Sequence, residues 1–216
     1  MKNERTFFLI FGGVFFIVGA IFGWAGWIIG RQAHQLADIP RLDLVALENS
    51  SVGTQGVIEG RVAERNPLQF RTFVAYNQDV YQGEDCDDDG CDAIWEDVEQ
   101  VTPPLWLDLP AGRVKISNGD YSIGGTSAEW ESIPRRIAYK TQRYRGFEIN
   151  DSVFAVGQVA PADGGPAFQA ESISSGTRSD QVASNRVGSY IFMGMGALFC
   201  LIGGGVLGWL VIGLAR

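Results

Sequence analysis

The densest concentration of reactive groups in this sequence lies between residues 84 and 99. Nine acids stand there (Glu84, Asp85, Asp87, Asp88, Asp89, Asp92, Glu96, Asp97 and Glu99) with no base among them. The net charge of the whole chain is −8, so the remainder is close to neutral and the acidity is one local feature. Asp85, Asp87, Asp89, Gly90 and Glu96 match the calcium-loop pattern D-x-D-x-D-G-x5-E, with the carbonyl of Cys91 at the next ligand position. Calcium takes about six to eight oxygen ligands, and the glycine permits the turn that brings alternate carboxylates inward. Ca2+ is therefore the one cofactor the residues suggest. Against an EF-hand stand Asp92, where an apolar residue is usual, and flanks that read as strands rather than helices. The competing reading is a solvated hairpin tip. Cys86 and Cys91 allow a local disulfide if the domain faces an oxidising space, which spacing alone does not decide, and such a bridge would constrain the calcium ligands.

A second concentration is basic: Arg135, Arg136, Lys140, Arg143 and Arg145, interleaved with Tyr139, Tyr144 and Phe147. On a strand, Arg136 and Lys140 share one face while Arg135, Arg143 and Arg145 share the other. Such a patch could meet anionic lipid headgroups, at about 1 kcal/mol per base, or an acidic protein. The plainer reading, that these bases offset the acidic segment or decorate a solvated strand, is favoured because exposed charges contribute little. His34 is the only histidine and reads as a solvated residue. No Ser/His/Asp or Cys/His system can be assembled from it within the domain. Gly124-Gly125-Thr126 lacks the remainder of a phosphate loop. Nothing in the spacing of Glu129, Glu131, Glu148 and Asp151 favours a hydrolase pair over surface placement. Trp95, Trp106 and Trp130 read as core or rim aromatics. No catalytic residue emerges, so the chain is read as a non-enzyme. Charge confined to one acidic segment makes nucleic acid an unexpected partner.

The elements that must carry these residues begin with two long runs lacking Asp, Glu, Lys, Arg and His, Phe7 to Ile29 and Tyr190 to Ala215. A bilayer core about 30 Å thick needs about 20 apolar helical residues, so each run suffices. The first is too long for a cleaved signal peptide and is read as a retained anchor. The expected fold is a membrane protein with two transmembrane α-helices flanking one all-β domain, a small antiparallel barrel or sandwich, OB-like. The divisions are a tail at 1–6, a first span at 7–30, a juxtamembrane stalk at 31–55, the β-domain at 56–176, a linker at 177–189 and a second span at 190–215. Alternation from Gly53 onward, broken by Asn66-Pro67, Pro103-Pro104, Asn118-Gly119 and Asp163-Gly164-Gly165-Pro166, supports many short strands. Lys2, Arg5 and Arg216 place both termini in the cytoplasm and the β-domain outside it. Gly12, Gly19, Gly23, Gly26 and Gly30 form one helical stripe, and Gly204 and Gly208 form GxxxG. These are read as helix-packing positions, between the two spans or in a homo- or hetero-oligomer.

The segments "GVIEGRVAERNPLQFRTFVAYNQDVYQ", "PLWLDLPAGRVKI", "YRGFEINDSVFAVGQV" and "FQAESISSGTRSDQVAS" resemble the β-domain of GIDE-type proteins, best known from mitochondrial membrane-anchored ubiquitin ligases. The resemblance spans Gly56 to the second run and includes the two-helix layout. It implies a β-domain on the non-cytosolic side. Ligase activity in that family needs a RING zinc module after the second helix, whereas this chain ends at Arg216. With one histidine and three cysteines, one of them in the second run, two tetrahedral zinc sites cannot be assembled. The expectation is therefore a membrane-anchored extracytoplasmic binding or sensing module without catalysis, calcium-responsive through residues 85–96 and engaging the bilayer and an unidentified protein partner. The alternative is an accessory subunit assembled through the glycine-rich helices.

Overall fold

The computed structural model describes residues 2–87, 90–132, 140–161 and 165–214. The chain forms two compact units: a β-domain, Ile39–Arg178, and a pair of helical segments ending at Asp38 and beginning at Ser179.

Helices α1 (Lys2–Asp38) and α3 (Arg178–Leu214) have 37 residues each, about 55 Å at the α-helical rise. Both are long and apolar enough to cross a membrane. Their large side chains are mostly exposed, Leu201 at 74% and Trp209 at 68%, unlike those of a soluble core helix. Two expected divisions are corrected here. The stalk is no separate element, because α1 continues to Asp38 and stops before Pro40, whose ring disfavours helix in the preceding residue. The linker at 177–189 is likewise the start of α3.

The β-domain begins at Ile39 rather than at residue 56. Leu42 and Leu47 from the segment before β1 belong to its core. Asp43 caps the short helix α2 (Leu44–Asn49), its carboxylate accepting the Ala46 N–H at 2.8 Å.

Strands β1 (Gln55–Val62), β4 (Trp106–Leu109), β5 (Gly112–Ile116), β9 (Ser152–Ala160) and β10 (Ala167–Ser175) form a ring. Its order is β5-β4-β1-β9-β10, closed by parallel pairing of β10 with β5, and β6 (Ser122–Gly124) adds to β10. Ile58, Val62, Leu107, Val114, Phe168 and Ile173 fill the interior. Val57 breaks the expected in–out alternation of β1. It is also buried, because the chain at Pro40–Leu42 runs beside it and takes both its backbone hydrogen bonds.

The second sheet has the order β3-β2-β8-β7, with β2 (Phe73–Asp87), β3 (Gly90–Val101), β7 (Ala128–Glu131) and β8 (Gln142–Glu148). Gly146 and Gly157 are fixed by close approach: a Cβ would overlap the carbonyl oxygens of Ala75 and Gln169, beside bulges in β2 and β10. Only β2 and β3 extend past β8, whose pairing with β2 ends at Val80. Gln82–Asp87 and their partners on β3 therefore form a two-stranded arm.

Candidate functional site

Among the described residues, the arm carries Glu84, Asp85, Asp87 and Asp92. Register sets Asp85 opposite Asp92, Cys86 opposite Cys91 and Asp87 opposite Gly90, with a disulfide joining the two cysteines at the tip. This arrangement corrects the calcium-loop reading. Glu96 lies opposite Val80, four strand residues or about 13 Å from Asp92, and its carboxylate accepts the Gln82 side-chain amide instead. Extended strands satisfy the backbone that an EF-hand loop would coil inward, so Asp85, Asp87 and Glu96 never converge. Asp89 lies outside the described residues. Glu84, Cys86 and Cys91 do come together, but both sulfurs are spent in the disulfide and offer no thiolate.

The basic segment is divided by the fold. Arg135 and Arg136 lie outside the described residues. Lys140 is not on a strand, which corrects its pairing with Arg136; it sits in a turn at φ 68°. Arg143 and Arg145 share a face of β8, where both guanidiniums meet Asp79, at 2.9 and 2.8 Å. Asp79 is 4% exposed. Arg143 also stacks over Trp95 at 4.0 Å. These two arginines are thus internal counter-charges rather than a free patch. Glu129 and Glu131 stand opposite Arg145 and Arg143 on β7. The Asp151 carboxylate accepts the Glu148 N–H and the Ser127 hydroxyl, fixing a turn with Asn150 at φ 71°. None of these four carboxylates is arranged as a hydrolase pair.

The opposite face of that sheet holds a smaller aromatic cluster, in which Phe70 stacks on Tyr144 at 4.1 Å and Trp130 lies 5.6 Å from each. Arg71 covers Trp130 at 3.9 Å. Arg65 covers Trp106 at 4.2 Å, and the Asn66 amide bonds both backbone groups of Trp106. Each of the three tryptophans of the β-domain therefore has an arginine over its ring. Burial raises the pKa of Tyr121, whose hydroxyl donates to the Pro103 carbonyl at 2.8 Å. Glu59 ties the ends of the domain together: one carboxylate oxygen accepts the Arg178 N–H at 3.0 Å and the other pairs with Arg41 at 3.1 Å.

In the helical unit the buried positions recur every seven residues: Gly12, Gly19, Gly26 and Ala33 on α1, and Val182, Ser189, Gly196, Gly203 and Leu210 on α3. The helices run antiparallel, with position 12 against 203, 19 against 196 and 26 against 189. A methyl at Gly19 would lie 2.7 Å from the Cys200 nitrogen and 2.8 Å from the Gly196 oxygen. The Ser189 hydroxyl donates to the Gly26 carbonyl at 2.7 Å. Phe15 and Phe22 pack beside this seam against Phe199 and Phe192, at 5.5 and 5.8 Å. A strict seven-residue repeat keeps one seam between two helices that coil left-handedly. Of the expected packing glycines, Gly12, Gly19, Gly26 and Gly30 press on α3, and the Gly23 backbone faces Gly196. A Cβ on Gly23, Gly204 or Gly208 would meet nothing. As a contact between the two spans, the Gly204/Gly208 pair is corrected: GxxxG lies off the seam, one residue out of phase with Gly203.

No protein-family model matches the chain, and no curated protein matches it.

Proposed function

We propose that the chain is a membrane-spanning hairpin carrying a non-catalytic binding module outside the cytoplasm, with the disulfide-closed acidic arm as its contact surface. The arm carries this reading. An isolated two-stranded hairpin is marginally stable in water, yet residues 82–87 and 90–94 extend past β8 with Ile94 46% exposed. A cross-strand disulfide at its tip suits an oxidising compartment, and its acids suit a basic partner. The ring order β1-β4-β5-β10-β9, with β5 and β10 parallel, supports an OB-like barrel, and the resemblance to GIDE-type β-domains accords with it. Dispersal of the carboxylates into ion pairs and turn caps supports a module that binds without turnover.

The test is site-specific photo-crosslinking in the full chain on intact cells, with the probe at Ile94 on the arm or at Val52, exposed on the same domain. The account expects a discrete adduct from Ile94, lost when Glu84, Asp85, Asp87 and Asp92 become amides, and none from Val52. An adduct insensitive to those acids would reject the arm as the contact. The accessory-subunit reading is favoured by one observation, the open lipid-facing side of α3 at Gly204 and Gly208. Replacing both spans with unrelated apolar helices separates the two: the arm reading expects the adduct to persist, the accessory reading expects its loss.

A further inference from the structure

Between α1 and α3 lies an open cavity of about 680 Å³, lined chiefly by Trp27, Arg31, His34, Arg186, Tyr190 and Met193. Its charge is one-sided. Two guanidiniums and an imidazole reach it, and no carboxylate is among its lining residues. Among the described residues, no acid pairs with Arg31 or Arg186. Arg31 is held over the Trp27 ring at 5.6 Å, which leaves its N–H groups free to donate.

The position in the sequence matters as much as the charge. A Cβ on Gly30 would fall 2.7 Å from the Ser189 hydroxyl, so these residues abut. The first apolar run ends at Ile29 and the second begins at Tyr190. Both runs therefore stop at the same level, the arginines lie just beyond it, and Met193 lies one turn deeper along α3. Trp27 and Tyr190 are 53% and 69% exposed there, as aromatics are at the headgroup boundary of a bilayer.

We propose that this cavity seats the phosphate of an anionic lipid headgroup, bridged by Arg31 from α1 and Arg186 from α3, with His34 as a further donor. Guanidinium favours phosphate because its planar N–H fork matches two oxygens. Since one arginine comes from each helix, the site exists only when the hairpin is assembled. This inference rests on the membrane-spanning reading.

The test uses the full chain in nanodiscs of phosphatidylcholine with increasing phosphatidylglycerol, followed by native mass spectrometry of retained lipid. At about a fivefold change per arginine, the loss in Arg31→Gln/Arg186→Gln should approach about 30-fold. Arg113→Gln, which removes a base paired with Asp108 on the barrel, should retain the wild-type preference. Equal retention of both lipids, or undiminished phosphatidylglycerol binding in the double variant, overturns the site. Competition by millimolar inorganic phosphate or glycerol 3-phosphate would identify a free-anion site and overturn the lipid assignment; no competition supports it. Flotation with phosphatidylcholine vesicles keeps the premises apart. A chain that floats without lipid preference refutes this inference alone, and one that fails to float refutes the spanning reading as well.

Discussion

Replacing Gly19 with alanine should separate the two helices, whereas the same change at Gly204 should not. The added methyl at residue 19 would meet the Cys200 nitrogen and sulfur at 2.7 Å and the Gly196 oxygen at 2.8 Å. Backbone atoms cannot rotate away, so α3 must move outward by about 1 Å to restore ordinary contact near 3.5–4 Å. Overpacking of this kind costs about 1–3 kcal/mol. Displacement also strains the bond from Ser189 to the Gly26 carbonyl, and interhelical bonds in membranes contribute about 0.6 kcal/mol on average. The expected loss is therefore about 2–3 kcal/mol. Nothing lies within 4 Å of a Cβ on Gly23, Gly204 or Gly208. Alanine there should be neutral within about 0.5 kcal/mol, or mildly stabilising through helix propensity. Reversible unfolding of the full chain in mixed micelles, followed by helical ellipticity, measures all four variants. Gly23 decides the matter, since it shares the sequence stripe with Gly19. If Gly23→Ala or Gly204→Ala costs as much as Gly19→Ala, the seven-residue seam is wrong.

Asp79→Asn leaves two arginines facing a neutral amide and should destabilise the domain by about 2–4 kcal/mol, below the largest buried-pair losses because Arg145 is 40% exposed. Asp108→Asn, from an exposed pair, should stay within about 1 kcal/mol in the same melts. For Tyr121, burial raises the folded pKa above the unfolded value of about 10. The unfolded chain then holds fewer protons than the folded one above that pH, so stability should fall as pH rises past about 10. In Tyr121→Phe that part of the alkaline loss disappears, at the cost of about 1 kcal/mol at neutral pH for the bond to Pro103; an unchanged alkaline slope would refute the assignment. Alkylation of the chain isolated under thiol-trapping conditions should modify Cys86 and Cys91 only after reduction. Calcium at millimolar concentration should leave the melting temperature unchanged, and an upward shift would restore the loop reading.

Legibility in the sequence differed between the two units. The apolar runs were plain because their length and absence of charge leave few alternatives to a long apolar helix. Their seam was half legible. On α1 the stripe contained the three seam glycines, but α3 has glycine at 188, 194, 196, 203, 204, 205, 208 and 213. With so many, GxxxG could be chosen as readily as the seven-residue step to Gly196 and Gly203, and Ser189 carried no glycine signal at all. Most barrel strands were legible from alternation and turn residues. The strands β6 and β7 are three and four residues long, too short to show a period. The calcium pattern misled because it counts residues along the chain, whereas pairing across β2 and β3 decides which carboxylates meet. Asp79 went unnoticed although a lone acid inside the strand Phe73–Val80, in a domain with Arg143 and Arg145, was the available signal.

The central claim, a bilayer-spanning hairpin with its barrel on the oxidising side, is tested most directly by labelling Lys115→Cys in the full chain on intact cells with a membrane-impermeant maleimide. Lys115 is exposed on β5 between buried Val114 and Ile116. The account predicts full labelling before permeabilisation. Labelling only after the membrane is opened would contradict it.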